Sequence, residues 1–156
     1  MLFRSIAGKK IGINTSIAAG YLLRIDGKEI RNRAIQQISI VRKYSGFIIS
    51  HRISADQTFD KDDHTEYRLR YRLSSEIPLS GQSSDPKEFF LKASNEYLNS
   101  LQNKEFDLEI RTSAFIGYVL TPRNKLELGL EYRADSFINQ NLRNRLWIAL
   151  NIYQLI

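Results

Sequence analysis

The segment Tyr67-Arg68-Leu69-Arg70-Tyr71-Arg72-Leu73 alternates apolar and cationic residues without a fault. On a strand, successive side chains point to opposite faces, so this segment makes one greasy face and one guanidinium face. On a helix the three arginines would scatter around the axis and leave no coherent apolar stripe. A chain built on this period must fold as β-sheet.

The same period runs along the chain. It predicts about eight strands, whose apolar faces begin with Ile11, Ile13, Thr15, Ile17, Ala19, Tyr21 and Leu23. A second strand covers 29–42, with a bulge expected at Gln36 and Gln37. Phe47, Ile49, Ile53, Ala55 and Phe59 mark a third, and the Tyr67 segment, running to Ile77, a fourth. Phe89, Leu91, Ala93 and Tyr97 mark a fifth, and Phe106 through Leu120 a sixth. Leu126 through Ala134 mark a seventh, and Leu142 through Ile156 an eighth. Asp26-Gly27 is a two-residue hairpin signal, because both positions of such a turn favour φ > 0. Tyr44-Ser45-Gly46 and Thr121-Pro122-Arg123-Asn124 also read as turns, and Ser80–Pro86 as the one long polar loop. With 156 residues and no linker, the chain reads as a single domain over 1–156.

Strands of this length exceed the usual five to six residues and match the roughly 9–11 needed to cross a bilayer at a tilt. Opposite the greasy faces lie Arg68, Arg70, Arg72, Glu96, Asp107, Glu109, Arg111, Glu127, Glu131, Arg133, Arg143 and Arg145. Arg52, Asp56, Glu76, Lys92 and Asp135 share their side, which makes nine basic and eight acidic residues. The expected fold is therefore an antiparallel up-and-down transmembrane β-barrel, whole or part of a larger one. Those twelve residues form a candidate network of paired lumen charges. The Arg68, Arg70, Arg72 row could instead set the anion preference of a pore. A soluble barrel with its apolar face turned inward onto an apolar ligand has the same period and is the alternative.

Charge excludes less than it first suggests. The net charge is +6, but residues 1–43 hold nine basic and two acidic side chains while residues 44–156 hold 14 and 15. No nucleic-acid module accompanies the excess, so no nucleic-acid partner is expected. With no cysteine, thiol chemistry and Cys-based zinc sites are impossible. Asp60-Lys61-Asp62-Asp63-His64 opens like a calcium loop but lacks the sixth-position glycine, and its twelfth position is Tyr71. His51 with Ser54, or His64 with a nearby serine, is the slender basis for a lipid-modifying outer-membrane enzyme. No catalytic residue, metal or cofactor is assigned, and the small-molecule ligand is unknown.

Three segments carry a likeness. They are Arg68-Leu69-Arg70-Tyr71-Arg72-Leu73-Ser74-Ser75-Glu76-Ile77-Pro78-Leu79, Phe90-Leu91-Lys92-Ala93-Ser94-Asn95-Glu96-Tyr97 and Arg143-Asn144-Arg145-Leu146. In this order they resemble the domain-of-unknown-function 2490 family, best from about residue 28 to the C-terminus. The resemblance implies a bacterial outer-membrane β-barrel without assigned activity, with outer-membrane lipid and the barrel-assembly machinery as partners. Family members look longer, with a signal peptide and further N-terminal strands. Residues 1–10 have no signal-like apolar stretch, so a truncated or mature start is expected. The closing alternation Ile148, Leu150, Ile152 and Ile156 is a weaker version of the aromatic-ended assembly signal. With the C-terminus periplasmic, 135–141 would be external, while 121–125 and the 80–87 loop would be periplasmic.

Overall fold

A computed structural model describes residues 2–26, 29–60, 64–138 and 142–154. They form one antiparallel sheet of nine strands: β1 (Leu2–Lys10), β2 (Thr15–Asp26), β3 (Glu29–Tyr44), β4 (Phe47–Asp60), β5 (Glu66–Pro78), β6 (Phe89–Gln102), β7 (Glu105–Thr121), β8 (Asn124–Asp135) and β9 (Arg143–Gln154). Each strand pairs with its neighbours in sequence, in the order β1 to β9. The up-and-down all-β reading holds, but the strand count is nine rather than eight. The extra strand is β1, whose Ala7-Gly8-Lys9-Lys10 end alternates too weakly to announce itself. Ile11 and Ile13 belong to the connection between β1 and β2 and not to a strand; there the Ile11 N–H donates to the Thr15 carbonyl at 3.0 Å.

The expected bulge at Gln36 and Gln37 is absent. Both residues pair in unbroken register with Ala19 and Ala18 on one side and with Ala55 and Ser54 on the other. The register shift lies instead between Val119 and Thr121 of β7. β2 and β3 meet at Asp26↔Glu29, while Gly27 of the expected hairpin lies outside the described residues. Gly46 takes φ +86° in the turn before β4, where a side chain would be strained. The β6–β7 turn is Asn103-Lys104, both at positive φ, as a two-residue primed hairpin requires. The connections 11–14, 45–46, 79–88 and 122–123 share one end of the sheet with the C-terminal end of β9.

Closure into a barrel is not seen, since β1 and β9 each pair along one side only among the described residues. In a meander of nine strands β1 and β9 run in the same direction, so pairing them directly would make a parallel seam.

The sheet nevertheless curls, and the direction of curling decides which face is inside. Lys125 of β8 reaches Glu76 of β5 at 3.5 Å. On a flat sheet those strands would stand roughly 14 Å apart. Lys92 of β6 likewise reaches over β7 to Glu127 of β8 at 2.7 Å. Both contacts lie on the charged face, which is therefore concave. Its buried residues include Ile35, Phe90, Leu98, Phe115 and Val119 beside Ser54, Asp56, Thr58, Glu96 and Glu127. Two aromatic–glycine contacts fit the bend. Phe90 packs on Gly117 and Phe115 on Gly129, each directly opposite its glycine, and a Cβ at either glycine would overlap the ring. Glycine in a strand lets backbone and ring approach, and the ring fills the space left by the absent side chain.

This packing predicts that Gly117→Ala destabilises the full chain by about 1–3 kcal/mol through overpacking. Combining it with Phe90→Leu should recover part of that loss in a double-mutant cycle of denaturant unfolding in detergent. Strict additivity of the two losses would show that ring and glycine do not interact.

Candidate functional site

Strand parity and register put the arginines of different strands in one row across the concave face. The paired positions are Arg52↔Arg72 between β4 and β5, Arg72↔Glu96 between β5 and β6, and Glu96↔Arg111 between β6 and β7. The row continues through Arg133 on β8 to Arg145 on β9. Like charges directly opposite on neighbouring strands repel. The chain relieves this by placing a carboxylate between successive arginines. Glu96 accepts from Arg72 at 2.8 Å and from Arg111 at 3.3 Å. Glu109 bridges Arg111 and Arg133, the latter at 2.8 Å. Asp135 bridges Arg133, at 3.9 Å, and Arg145. The outcome is a ladder of alternating charge, Arg72–Glu96–Arg111–Glu109–Arg133–Asp135–Arg145, running across five strands.

Other expected members lie elsewhere. Arg68 and Arg70 turn to β4, where both approach Asp56, which is 1% exposed. Glu127, 2% exposed, holds Lys92. Asp107 accepts from the Ser136 hydroxyl at 3.3 Å and stands outside the ladder. Glu131 lines the cleft described below, and Arg143 lies opposite Asp135 in register. The row read along one strand, Arg68-Arg70-Arg72, is thus split between a β4 partner and a β6 partner. Asp56 and Asp135 shared the predicted face, yet their bridging role emerges only from the register.

Arg72, Glu96, Arg111 and Arg133 of the ladder floor a cleft of about 500 Å³ between β4 and β9, and Arg145 stands outside it. Its aromatic wall is Trp147 and Tyr153, whose rings lie 5.1 Å from the Arg133 guanidinium carbon and the Lys92 Nζ. The next row holds Ser50, Ser74, Ser94 and Ser113 in direct register. Ser50 and Ser74 hydroxyls bond at 2.6 Å, and Ser94 and Ser113 at 2.7 Å. Such a surface can bind anions through guanidinium forks and hydroxyl-bearing solutes through the serines.

The candidate pair His51 and Ser54 does not assemble. His51 faces the convex side, where its Nδ1 bonds the Tyr71 hydroxyl at 2.8 Å, while Ser54 is buried on the concave side. His64 lies in the β4–β5 connection, and residues 61–63 of the calcium-like run lie outside the described residues. No group of three metal-ligating side chains occurs among the described residues.

The family model described as "Protein of unknown function (DUF2490)" matches residues 1–147. The chain is a member of the DUF2490 family. The match takes in β1 through β8 entire and the first five residues of β9. No curated protein and no solved structure matches this DUF2490 chain.

For this DUF2490 protein the ladder predicts a specific weak point. Glu96→Gln removes the charge that Arg72 and Arg111 share and leaves two half-buried guanidiniums facing each other. Breaking a fully buried pair costs about 3–5 kcal/mol, and the partial exposure here should reduce the loss to about 1–3 kcal/mol. Denaturant unfolding checks this, and high salt should narrow the gap between variant and native chain.

Proposed function

We propose that this chain is a bacterial outer-membrane β-barrel protein whose convex face meets lipid and whose concave face lines a charge-paired interior, with a non-catalytic role. The observation that carries the reading is the make-up of the convex face. Among the described side chains of nine strands it bears no carboxylate. Its cations are Lys9 and Arg42, both within two residues of the strand end that carries the 11–14 and 45–46 connections, and its one histidine is His51. Its exposed side chains include Leu69, Leu73, Leu91, Ile116, Leu128, Leu130, Ile148 and Ile152. Nine strands at ordinary spacing and about ten residues of length give on the order of 1,200 Å² of such surface. Soluble monomers rarely expose apolar patches beyond a few hundred Å².

Two further features support it. Several polar side chains on the convex face satisfy one another. Gln36 and Gln57 exchange amide bonds at 3.1 and 3.2 Å, Asn95 donates to Thr112 at 3.1 Å, and Tyr132 donates to Asn144 at 2.9 Å. His51 is held by Tyr71 in the same way. A hydrocarbon solvent demands such pairing, because it offers no hydrogen bonds. Aromatic residues also gather near both ends of this face. Phe47 and Phe59 on β4, and Phe106 and Tyr118 on β7, each stand twelve residues apart. At strand rise and a tilt of about 35–45° that separation spans roughly 28–33 Å, comparable with the hydrocarbon core between aromatic girdles.

The soluble carrier reading needs an apolar concave face, and the curvature weighs against it. The lipid-modifying reading drawn from His51 and Ser54 needs the two together, and they point to opposite sides of β4. Antiparallel closure of the barrel takes an odd number of further strands between β9 and β1; otherwise the seam is parallel.

In cells, the native chain should fractionate with outer-membrane lipid, depend on the barrel-assembly machinery and require detergent for extraction. A folded monomer in plain buffer would overturn the reading. Leu128, 50% exposed, gives a second test. Leu128→Arg should cost about 2–4 kcal/mol for the chain folded in lipid vesicles. Were this face wetted by water, the same change would stay within about 0.5 kcal/mol.

A further inference from the structure

The ladder of the concave face follows a rule with one exception. Arg72 and Arg111 share Glu96, Arg111 and Arg133 share Glu109, and Arg133 and Arg145 share Asp135. Arg52 extends the same row by one strand, directly opposite Arg72. No carboxylate bridges this last pair, and Arg52 makes no ion pair among the described residues. We propose that an exogenous oxyanion, a carboxylate or a phosphate group, binds between Arg52 and Arg72 and supplies the missing bridge.

The surroundings suit such a ligand. Both arginines line the 500 Å³ cleft, together with Ser50 and Ser74 of the next row. Those two hydroxyls already bond each other at 2.6 Å, which leaves one hydroxyl proton of the pair to donate to an incoming oxygen. Arg72 gives its Nε to Glu96, so its terminal nitrogens remain to form a fork on an oxyanion. Two arginines paired directly opposite each other on neighbouring strands repel. A bound anion therefore stabilises the folded chain as well as occupying the cleft. The inference rests on the concave face alone and stands whether the convex face meets lipid or water.

The test uses the purified full chain in detergent at constant ionic strength set with sodium chloride. Inorganic phosphate is titrated in one arm and citrate in another, with the thermal midpoint as readout. A saturable rise beyond chloride is expected, and the arm that responds more tightly tells phosphate from carboxylate. Arg52→Gln should weaken the half-saturation concentration by about tenfold or more. Arg52→Glu places the carboxylate on the chain itself. It should raise the midpoint in chloride alone and remove the response to either anion. Arg145→Gln, at the far end of the ladder, should leave the half-saturation concentration unchanged. The absence of any response beyond chloride in the native chain, in both arms, would overturn the proposal. So would an unchanged half-saturation concentration in Arg52→Gln.

Discussion

The constraint on which the rest of the molecule depends is the placing of ionised side chains on one face of one sheet. Apart from Lys9 and Arg42, the described charges of the strands lie on the concave side, and the convex side is given to aliphatic and aromatic groups. A sheet so divided cannot remain flat. The charged side chains must come close enough to neutralise one another, and Lys92–Glu127 and Lys125–Glu76 close over intervening strands only because the sheet bends. Curvature and charge pairing are thus one arrangement. Glycines at 117 and 129 accommodate Phe90 and Phe115 inside the bend.

The ladder has a general lesson about charge on β-sheets. Cross-strand neighbours of like charge are expected to repel, and here arginines stand in register on β4, β5, β7, β8 and β9. The sheet tolerates them because carboxylates come in from the same row or from the row beside it. A carboxylate as buried as Glu96 is costly without such partners, and its two arginines supply them. The cleft follows from the same geometry. Where the ladder meets the aromatic side chains of β9, cationic, hydroxyl and ring surfaces converge.

Much of this was legible in the residues, because a period of two needs no knowledge of the fold. Tyr67 through Leu73 names its own faces, and the later strands repeat the pattern to Ile152. What escaped reading has local causes. β1 carries Ser5, Ala7, Gly8 and Lys9, too small or polar for the alternation to stand out. The Asn103-Lys104 turn carries neither glycine nor proline. His51 lies on the apolar face, and its bond to Tyr71 could not be read from the residues, because that partner lies on the next strand, where periodicity is silent.

The sequence by itself determined the strand period, the two faces and the list of charges that share a side. Those properties follow from side-chain direction along an extended backbone, and each is decided within a few residues. Only the tertiary structure decided which charges meet, because register depends on the lengths of turns and loops between strands. It parted Arg68 and Arg70 from Arg72, gave Glu96 two arginines, and left Arg52 opposite Arg72 without a carboxylate between them. It also decided that the charged face is the inner one, since an alternating pattern is the same whichever way the sheet curls.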